Sequence, residues 1–579
     1  MLLLSGWGLA HHFSRSLEVT RANEPKCAGS CHVLRQSVSG SDSLMERRSE
    51  NHAWFLTPPE RGNPATEIDR RRGDGRAWTG GNRLTPLVHG SVYFARLFEE
   101  MRTLRAGDSL WFLDWRGDPD QQLAGPGTEL GPTLVDLVQR GVDIRGMIWR
   151  SHPDEEKFSE QENARLGRMV NEAGGEILLD ERVGAFGSHH QKLVLVRRVD
   201  PEAEDVAFVG SADLCLGRND DIQHHGDPKA IRLDERYGPN PPWHDVQLEV
   251  RGPAIGDLAE TFRERWTDPA PLDHRNPWRA GMRVFLHEPR RGNPLPPLPA
   301  DPKPAGDVAV QVLRTYGAKR SPYPFAPKGE RSIAHAYVKA IGRARSLIYV
   351  EDQYLWSKEV ALVFARALER NPSLRLIAVV PRYPDRNGVI SGPLNRFGQH
   401  EAIEIVARAG GDRFAIYDLE NEDCIPIYVH AKVCIIDDVW ATIGSDNLNR
   451  RSWTHDSELS CAVLDTSGYE RVAKATQRKI RHSFVRALRH ELWREHLGEG
   501  LLEHELLDAK AGFQAWKRCA DAIDRWHRGG RIGPRPAGRV RAHRPEPLSA
   551  PISWIAPIPY HLVIDPDGRP TRLKRQGVL

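Results

Sequence analysis

The tripeptide His-x-Lys occurs twice in this chain and nowhere else, as His190-Gln191-Lys192 and His430-Ala431-Lys432. A chain with 24 His and 15 Lys among 579 residues contains about 0.6 such tripeptides by chance, so one alone would mean nothing. The context is what repeats. Each tripeptide enters an apolar run of strand character, Leu193–Val196 and Val433–Ile436, and each is followed by a second such run and a Gly-Ser pair, Gly210-Ser211 and Gly444-Ser445. On a strand, residues i and i+2 share a face, so the His and Lys of each motif project together. Two imidazoles and two ammonium groups gathered at one place suit a phosphoester. The lysines, with Asn447, Ser445 and Ser211 as neutral donors, would hold the phosphate and stabilise charge on its oxygens. One neutral imidazole can attack phosphorus, and the other, protonated, can donate to the leaving oxygen. This chemistry requires no metal. The sequence contains no H-E-x-x-H, no carboxylate cluster and no Cys/His zinc spacing, so neither metal nor cofactor is expected.

The elements that must position these groups are also duplicated. Tyr93–Trp115 and Ala336–Trp356 each read as an amphipathic helix, a polar turn and a strand ending near an acidic residue. Leu134–Trp149 and Val363–Val380 add a further helix–strand unit to each copy. The pattern predicts an α/β protein of two tandem halves related by a pseudo-twofold axis, with one site at their interface. The expected layout is a disordered or extended segment over 1–52, a first half over 53–288, a Pro/Gly-rich linker over 289–307 and a second half over 308–500. A C-terminal helix and an Arg/Pro-rich tail follow over 501–579. Within that tail, Arg525–Arg544 reads as solvated and flexible, Ile552–Ile564 as a strand, and Asp565–Gly568 as a turn.

Composition excludes several alternatives. With 81 Lys+Arg against 78 Asp+Glu, the chain is neither a histone-like polycation nor an acidic tail protein. Of the basic residues 66 are Arg, so the two motif lysines stand out in an arginine-favouring chain. Seven scattered Cys make no disulfide framework, and Cys27 and Cys31 lack a partner pair for zinc. No apolar stretch reaches the ~20 residues of a membrane span, and Met1–Ala10 makes a poor signal peptide. A cytoplasmic or peripherally membrane-associated monomer is expected, with secretion left open.

The duplicated motifs and halves resemble the phospholipase D superfamily. Asp213–Asp221 (DLCLGRNDD), Pro241–Trp266, Ile348–Leu355 (IYVEDQYL) and Gly444–Ser460 are similar to its plant-like and eukaryote-like branch, which includes bacterial members. The resemblance covers about residues 53–500. It implies hydrolysis or transphosphatidylation of glycerophospholipids such as phosphatidylcholine, through a phosphohistidine, with water or an alcohol as acceptor and a membrane surface as the place of work. No stable nucleic-acid partner is implied. Carried over by position, His190 is the nucleophile and His430 the general acid. Lys192, Lys432 and Asn447 bind phosphate, and Asp245 and Glu458 orient the two histidines. The stretch before Ala53 is too short for a calcium-dependent lipid-binding module, so calcium dependence of that kind is not expected.

Two positions depart from the pattern. The second motif keeps its Asp at Asp437, read here as structural, whereas the first has Arg197, with Asp200 or Asp205 as candidates to compensate. Asp213 stands where the second half has Asn447, and a carboxylate is not assigned to phosphate binding. The alternatives are a phosphatidyltransferase of the cardiolipin synthase type or a nuclease of the same superfamily. A non-catalytic lipid-binding protein, motivated by Arg197, is the third.

Overall fold

The computed structural model describes residues 51–576, apart from 152–159, 231–232, 273–280, 282, 285–287, 386–390, 466–482, 499 and 548–555. The extended start expected over 1–52, together with Cys27 and Cys31, thus lies almost wholly outside the described residues.

The first half contains β1 (Thr79–Val88), β2 (Ser109–Asp114), β3 (Asp143–Trp149), β4 (Glu176–Asp180), β5 (Leu193–Arg197), β6 (Val206–Gly210), β7 (Trp243–His244) and β8 (Val246–Arg251). The second contains β9 (Val308–Tyr316), β10 (Glu330–Arg331), β11 (Leu347–Asp352), β12 (Arg375–Val379), β13 (Phe414–Glu420), β14 (Pro426–Val429), β15 (Lys432–Ile436), β16 (Trp440–Gly444), β17 (Glu458–Leu464) and β18 (Val540–Ala542). In the first sheet the strands lie in the order β4-β3-β2-β5-β6-β8-β1. In the second they lie in the order β13-β12-β11-β15-β16-β17-β9. Each sheet has two parallel pairings followed by four antiparallel ones, so the repeat read from the sequence is a repeat of topology. The sheets meet where β1 pairs with β9.

Every residue of β5, β6, β15 and β16 is buried, because both faces of each sheet are covered. Alternation sorts the two faces. Leu193 and Leu195 of β5 and Val433 and Ile435 of β15 belong to one core shared by both halves, with helix Ala254–Trp266 and helix Phe484–Leu497. Val194 and Val196 pack instead with helices Gly90–Thr103, Leu130–Gln139 and Glu160–Glu172. Cys434 and Ile436 pack with helices Ser332–Ile341 and Lys358–Arg370. The fold is α/β, with helices outside each sheet and a common core between the sheets.

The Gly-Ser pairs mark close approaches between strands. A Cβ on Gly210 would stand 2.5 Å from the Val246 carbonyl oxygen, and one on Gly444 would stand 2.5 Å from the Ser460 Cα. Asp437 accepts the backbone N–H groups of Arg345, Ser346 and Leu347 at 2.6–2.9 Å. Arg197 occupies the same register, opposite Ser109. Its guanidinium pairs with Asp205 at 2.7 Å. Asp205 also accepts the N–H of Arg198, and Asp108 accepts those of Arg105 and Val199. Of the two candidates, Asp205 compensates and Asp200 does not.

Residues 289–307 carry no regular secondary structure, yet Leu295 and Leu298 pack on the shared core and Asp301 pairs with Arg71 at 2.6 Å. Two readings of the tail are corrected. Arg525–Arg544 is not a free segment. Its start completes helix Ala509–Arg528, and β18 adds to the edge of β13. Arg535 and Arg541 pair with Glu420 at 3.3 and 2.8 Å, because that buried carboxylate needs cations. The strand expected at Ile552–Ile564 is helical from Pro557 to Ile564, while 552–555 lie outside the described residues. Pro557 sits at the first helical position, where its fixed φ favours a helix, and the Tyr560 hydroxyl anchors the turn on the Trp356 carbonyl. Among the described residues, no helix is long and apolar enough to cross a membrane.

Candidate active site

Both motifs end at one cavity of about 440 Å³, lined by His190 and His430 with Asn447, Trp243, Trp115 and Tyr354. What brings them together is a reciprocal exchange of backbone between halves. The N–H of His190 bonds the Ser457 carbonyl at 2.9 Å, just ahead of Glu458. The N–H of His430 bonds the His244 carbonyl at 2.8 Å, just ahead of Asp245, where β7 and β14 run parallel. The side chains exchange in the same way. His190 Nδ1 meets Glu458 Oε2 at 2.9 Å, and His430 Nδ1 meets Asp245 Oδ1 at 2.8 Å. Each histidine therefore takes its carboxylate from the other half.

The carboxylates are themselves fixed. Trp243 Nε1 donates to Asp245 Oδ2 at 2.7 Å, and the Trp243 ring lies 5.0 Å from that of His430. The Ser445 hydroxyl donates to Glu458 Oε2 at 2.5 Å and accepts the N–H of Leu459. Ser211 plays the mirrored part on β8, donating to the Val246 carbonyl and accepting the Val246 N–H. These bonds commit the hydroxyls to Glu458 and to the residue that follows Asp245, so the phosphate contacts expected of Ser211 and Ser445 do not fit. Asn447 does face the cavity, and its Oδ1 has no hydrogen-bond partner among the described residues.

Both lysines are only 1% exposed. Lys192 Nζ bonds the His190 carbonyl and pairs with Asp213, each at 3.0 Å. Lys432 Nζ bonds the His430 carbonyl at 2.5 Å and Gln353 Oε1 at 3.3 Å. Asp213 and Gln353 line the cavity. Arg218 pairs with Asp213 at 3.0 Å and lies 4.0 Å over the Trp243 ring. The sequence reading missed Gln353 and Arg218 as parts of the site. Both lie in segments already quoted for the resemblance, but neither lies in a His-x-Lys motif.

Electrostatics separates the two dyads. Burial, with Lys192 and Lys432 nearby, holds His190 well below the usual imidazole range. Burial and Lys432 push His430 down to about 3, against the pull of Asp245. Burial raises Asp245, but His430, Lys432 and Arg218 outweigh it and keep the group ionised. Burial and Asp456 push Glu458 up to about 8, only partly offset by Lys192 and Ser445. Burial and Lys192 bring Lys432 down to about 7.

Comparison with known proteins finds two family models that together run through both halves. The family model "Phospholipase D" matches residues 130–361, and "Cardiolipin synthase, PLD-like domain" matches residues 337–482. Phospholipase D alpha 1 of Cynara cardunculus is 25% identical over 503 residues, 66% of this chain and 60% of that protein. Phospholipase D alpha 1 of Oryza sativa subsp. japonica is 26% identical over 502 residues, again 66% and 60%. The chain thus spans about three-fifths of these relatives' length. A solved structure of phosphatidylserine synthase from Haemophilus influenzae aligns with a TM-score of 0.45 at 14% identity, covering 70% of this chain and 88% of that one. With one family model reaching into each half of a repeated fold, and with sequence likeness to plant phospholipases D running through both, the chain belongs to the phospholipase D superfamily, whose enzymes act on phosphodiester bonds.

Proposed function

We propose that this protein is a phospholipase D-type phosphodiesterase that cleaves the distal phosphodiester of glycerophospholipids such as phosphatidylcholine. The observation that carries the reading is the crossed pair of His–carboxylate dyads facing one cavity. Glu458 Oε2 accepts from both His190 Nδ1 and Ser445, which leaves the His190 Nε2 lone pair free to attack phosphorus. The largely neutral Glu458 gives that imidazole little reason to take a proton. The ionised Asp245 instead supports an imidazolium at His430, which is the state a general acid needs once an anionic phosphodiester is bound. In the first step the P–Nε2 bond forms, the bond from phosphorus to the headgroup oxygen breaks, and His430 gives its proton to that oxygen. In the second, His430 takes a proton from water or an alcohol, the new oxygen attacks phosphorus, and the P–Nε2 bond breaks. Lys192, Lys432 and Asn447 hold the phosphoryl oxygens.

A lipid is favoured over nucleic acid by the cavity mouth, where Phe186 and Val563 are 58% and 44% exposed. Transfer to an alcohol is a second reading, supported by the match of residues 337–482 to the cardiolipin synthase model. Arg197 no longer motivates a non-catalytic protein, because Asp205 and Asp108 hold its turn.

Incubation with phosphatidylcholine vesicles and ethanol should yield phosphatidic acid and phosphatidylethanol. Cleavage of DNA with no lipid product would reject the proposal.

The Lys432 ammonium sets a pH limit. It carries its charge below about 7 and loses it above, so kcat/KM should fall as pH rises through that value. In Lys432→Arg the rate should drop, but the alkaline limb should move up by at least about 2 pH units, because a guanidinium stays charged. A limb left in place would clear Lys432 of the role.

A further inference from the structure

Behind the active site, on the far side of β7, lies a second cluster that the reaction does not use. His89, His224, His244 and Glu495 place four donor atoms within 4.8 Å of one another, and Glu351 and His496 adjoin through His244. His224 and His244 are 0% exposed, and the Glu495 side chain is 4% exposed.

For His224 and His244, hydrogen bonds decide which nitrogen faces the cluster with a lone pair when the ring is neutral. His224 Nδ1 faces the Trp243 carbonyl at 3.1 Å, and a carbonyl only accepts, so Nδ1 carries the proton and Nε2 the lone pair. That Nε2 stands 3.0 Å from Glu495 Oε1. His244 Nε2 faces the Glu351 carboxylate at 2.8 Å and so carries a proton, which makes Nδ1, a buried atom with no hydrogen-bond partner among the described residues, the nitrogen that holds the lone pair when the ring is neutral. It stands 3.6 Å from the same Glu495 oxygen. His89 Nε2 lies 3.3 Å from Glu495 Oε2. Three ring nitrogens thus converge on one buried carboxylate, an arrangement that requires positive charge between them. Either extra protons or one cation can supply it.

We propose that His89, His224, His244 and Glu495 form a structural zinc site. Three imidazoles and one carboxylate suit a tetrahedral borderline ion rather than the all-oxygen shells of calcium or magnesium. The outer partners are those of metal-binding histidines, a backbone carbonyl behind His224 and a carboxylate behind His244, with Glu351 itself held by His496 at 2.9 Å and by Tyr349. Ligand atoms around tetrahedral zinc stand about 3.3 Å apart, so closure from the present spacing takes side-chain shifts of about 1 Å. An approach route exists, since His89 and Glu495 also line a wide groove of about 1480 Å³. His89 and His224 hold positive φ angles of 73° and 57°, a cost that a bound ion would offset. The consequence reaches the reaction. The His244 carbonyl accepts the N–H groups of His430 and Ala431, and the Asp245 carbonyl accepts that of His89, so zinc would fasten the strand that aims Asp245 at His430.

The test uses the untagged full-length chain grown with zinc. Elemental analysis should find about one zinc per chain, and dipicolinate should remove it and lower the melting temperature, with zinc restoring both. Cobalt reloaded into the stripped protein should show the intense visible bands of a four-coordinate ion. Glu495→Gln and His89→Ala should lose the metal, whereas His490→Ala, on the same groove outside the cluster, should keep it. Wild-type protein that is folded, takes up no zinc or cobalt and melts identically with and without zinc would overturn the site and leave a proton-filled His–carboxylate network. So would metal that survives Glu495→Gln and vanishes in His490→Ala, because that ion would be bound only to the groove surface.

Discussion

His190→Ala should lower kcat/KM for phosphatidylcholine by about 10⁴-fold or more, since under the proposed mechanism the variant lacks the atom that bonds to phosphorus. Lys192, Lys432 and His430 remain, so substrate should still bind, and the loss should fall on kcat. A phosphatidyl ester of p-nitrophenol separates the two histidines. Its leaving group departs without a proton, so His430→Ala should still release a burst of about one nitrophenol per chain and then stall, lacking the base for water. His190→Ala should give no burst, and intact-protein mass spectrometry of quenched reactions should find a phosphatidyl adduct in His430→Ala alone. A burst from His190→Ala with none from His430→Ala would exchange the two roles.

The carboxylates should not be equivalent. Asp245→Asn removes the charge that supports a protonated His430, and a loss of about 10³-fold in kcat is expected, close to 4 kcal/mol of transition-state stabilisation. The deficit should largely disappear for the nitrophenyl ester in the first half-reaction, a selectivity that mere loosening of the fold would not produce. Glu458→Gln keeps an oxygen to accept His190 Nδ1–H and replaces a carboxyl that burial already keeps largely neutral, so its rate should stay within about tenfold of wild type. Equal losses in the two variants, independent of leaving group, would remove the asymmetry on which the acid and nucleophile are assigned.

How much of this could be read from the sequence depends on distance along the chain. The His-x-Lys motifs, the strands they enter and the duplicated halves were legible because each signal spans a few residues and occurs twice. Asp437 could be read as structural from its place at the far end of a strand. Ser211 and Ser445 misled because a small hydroxyl beside glycine looks like a phosphate donor. Their partners, Val246 and Glu458, become neighbours only when β6 pairs with β8 and β16 with β17. The Arg-rich tail misled in the opposite sense, since two of its cations, Arg535 and Arg541, are held by Glu420, more than 100 residues away in the chain. The histidine cluster gave no signal, because positions 89, 224, 244 and 495 have no local spacing at all.

The exchange of carboxylates between halves also bears on how this chain is made. Synthesis runs from the N-terminus, and His190 leaves the ribosome long before Glu458 exists to seat it; Asp245 likewise waits for His430. A truncated product or a nicked fragment bearing one half would present a histidine with nothing to fix its tautomer. Under the proposed chemistry, lipid cleavage would therefore switch on only when the last shared strand docks. On that reading the fold would act as its own safety catch, and would keep unfinished copies inert toward lipid.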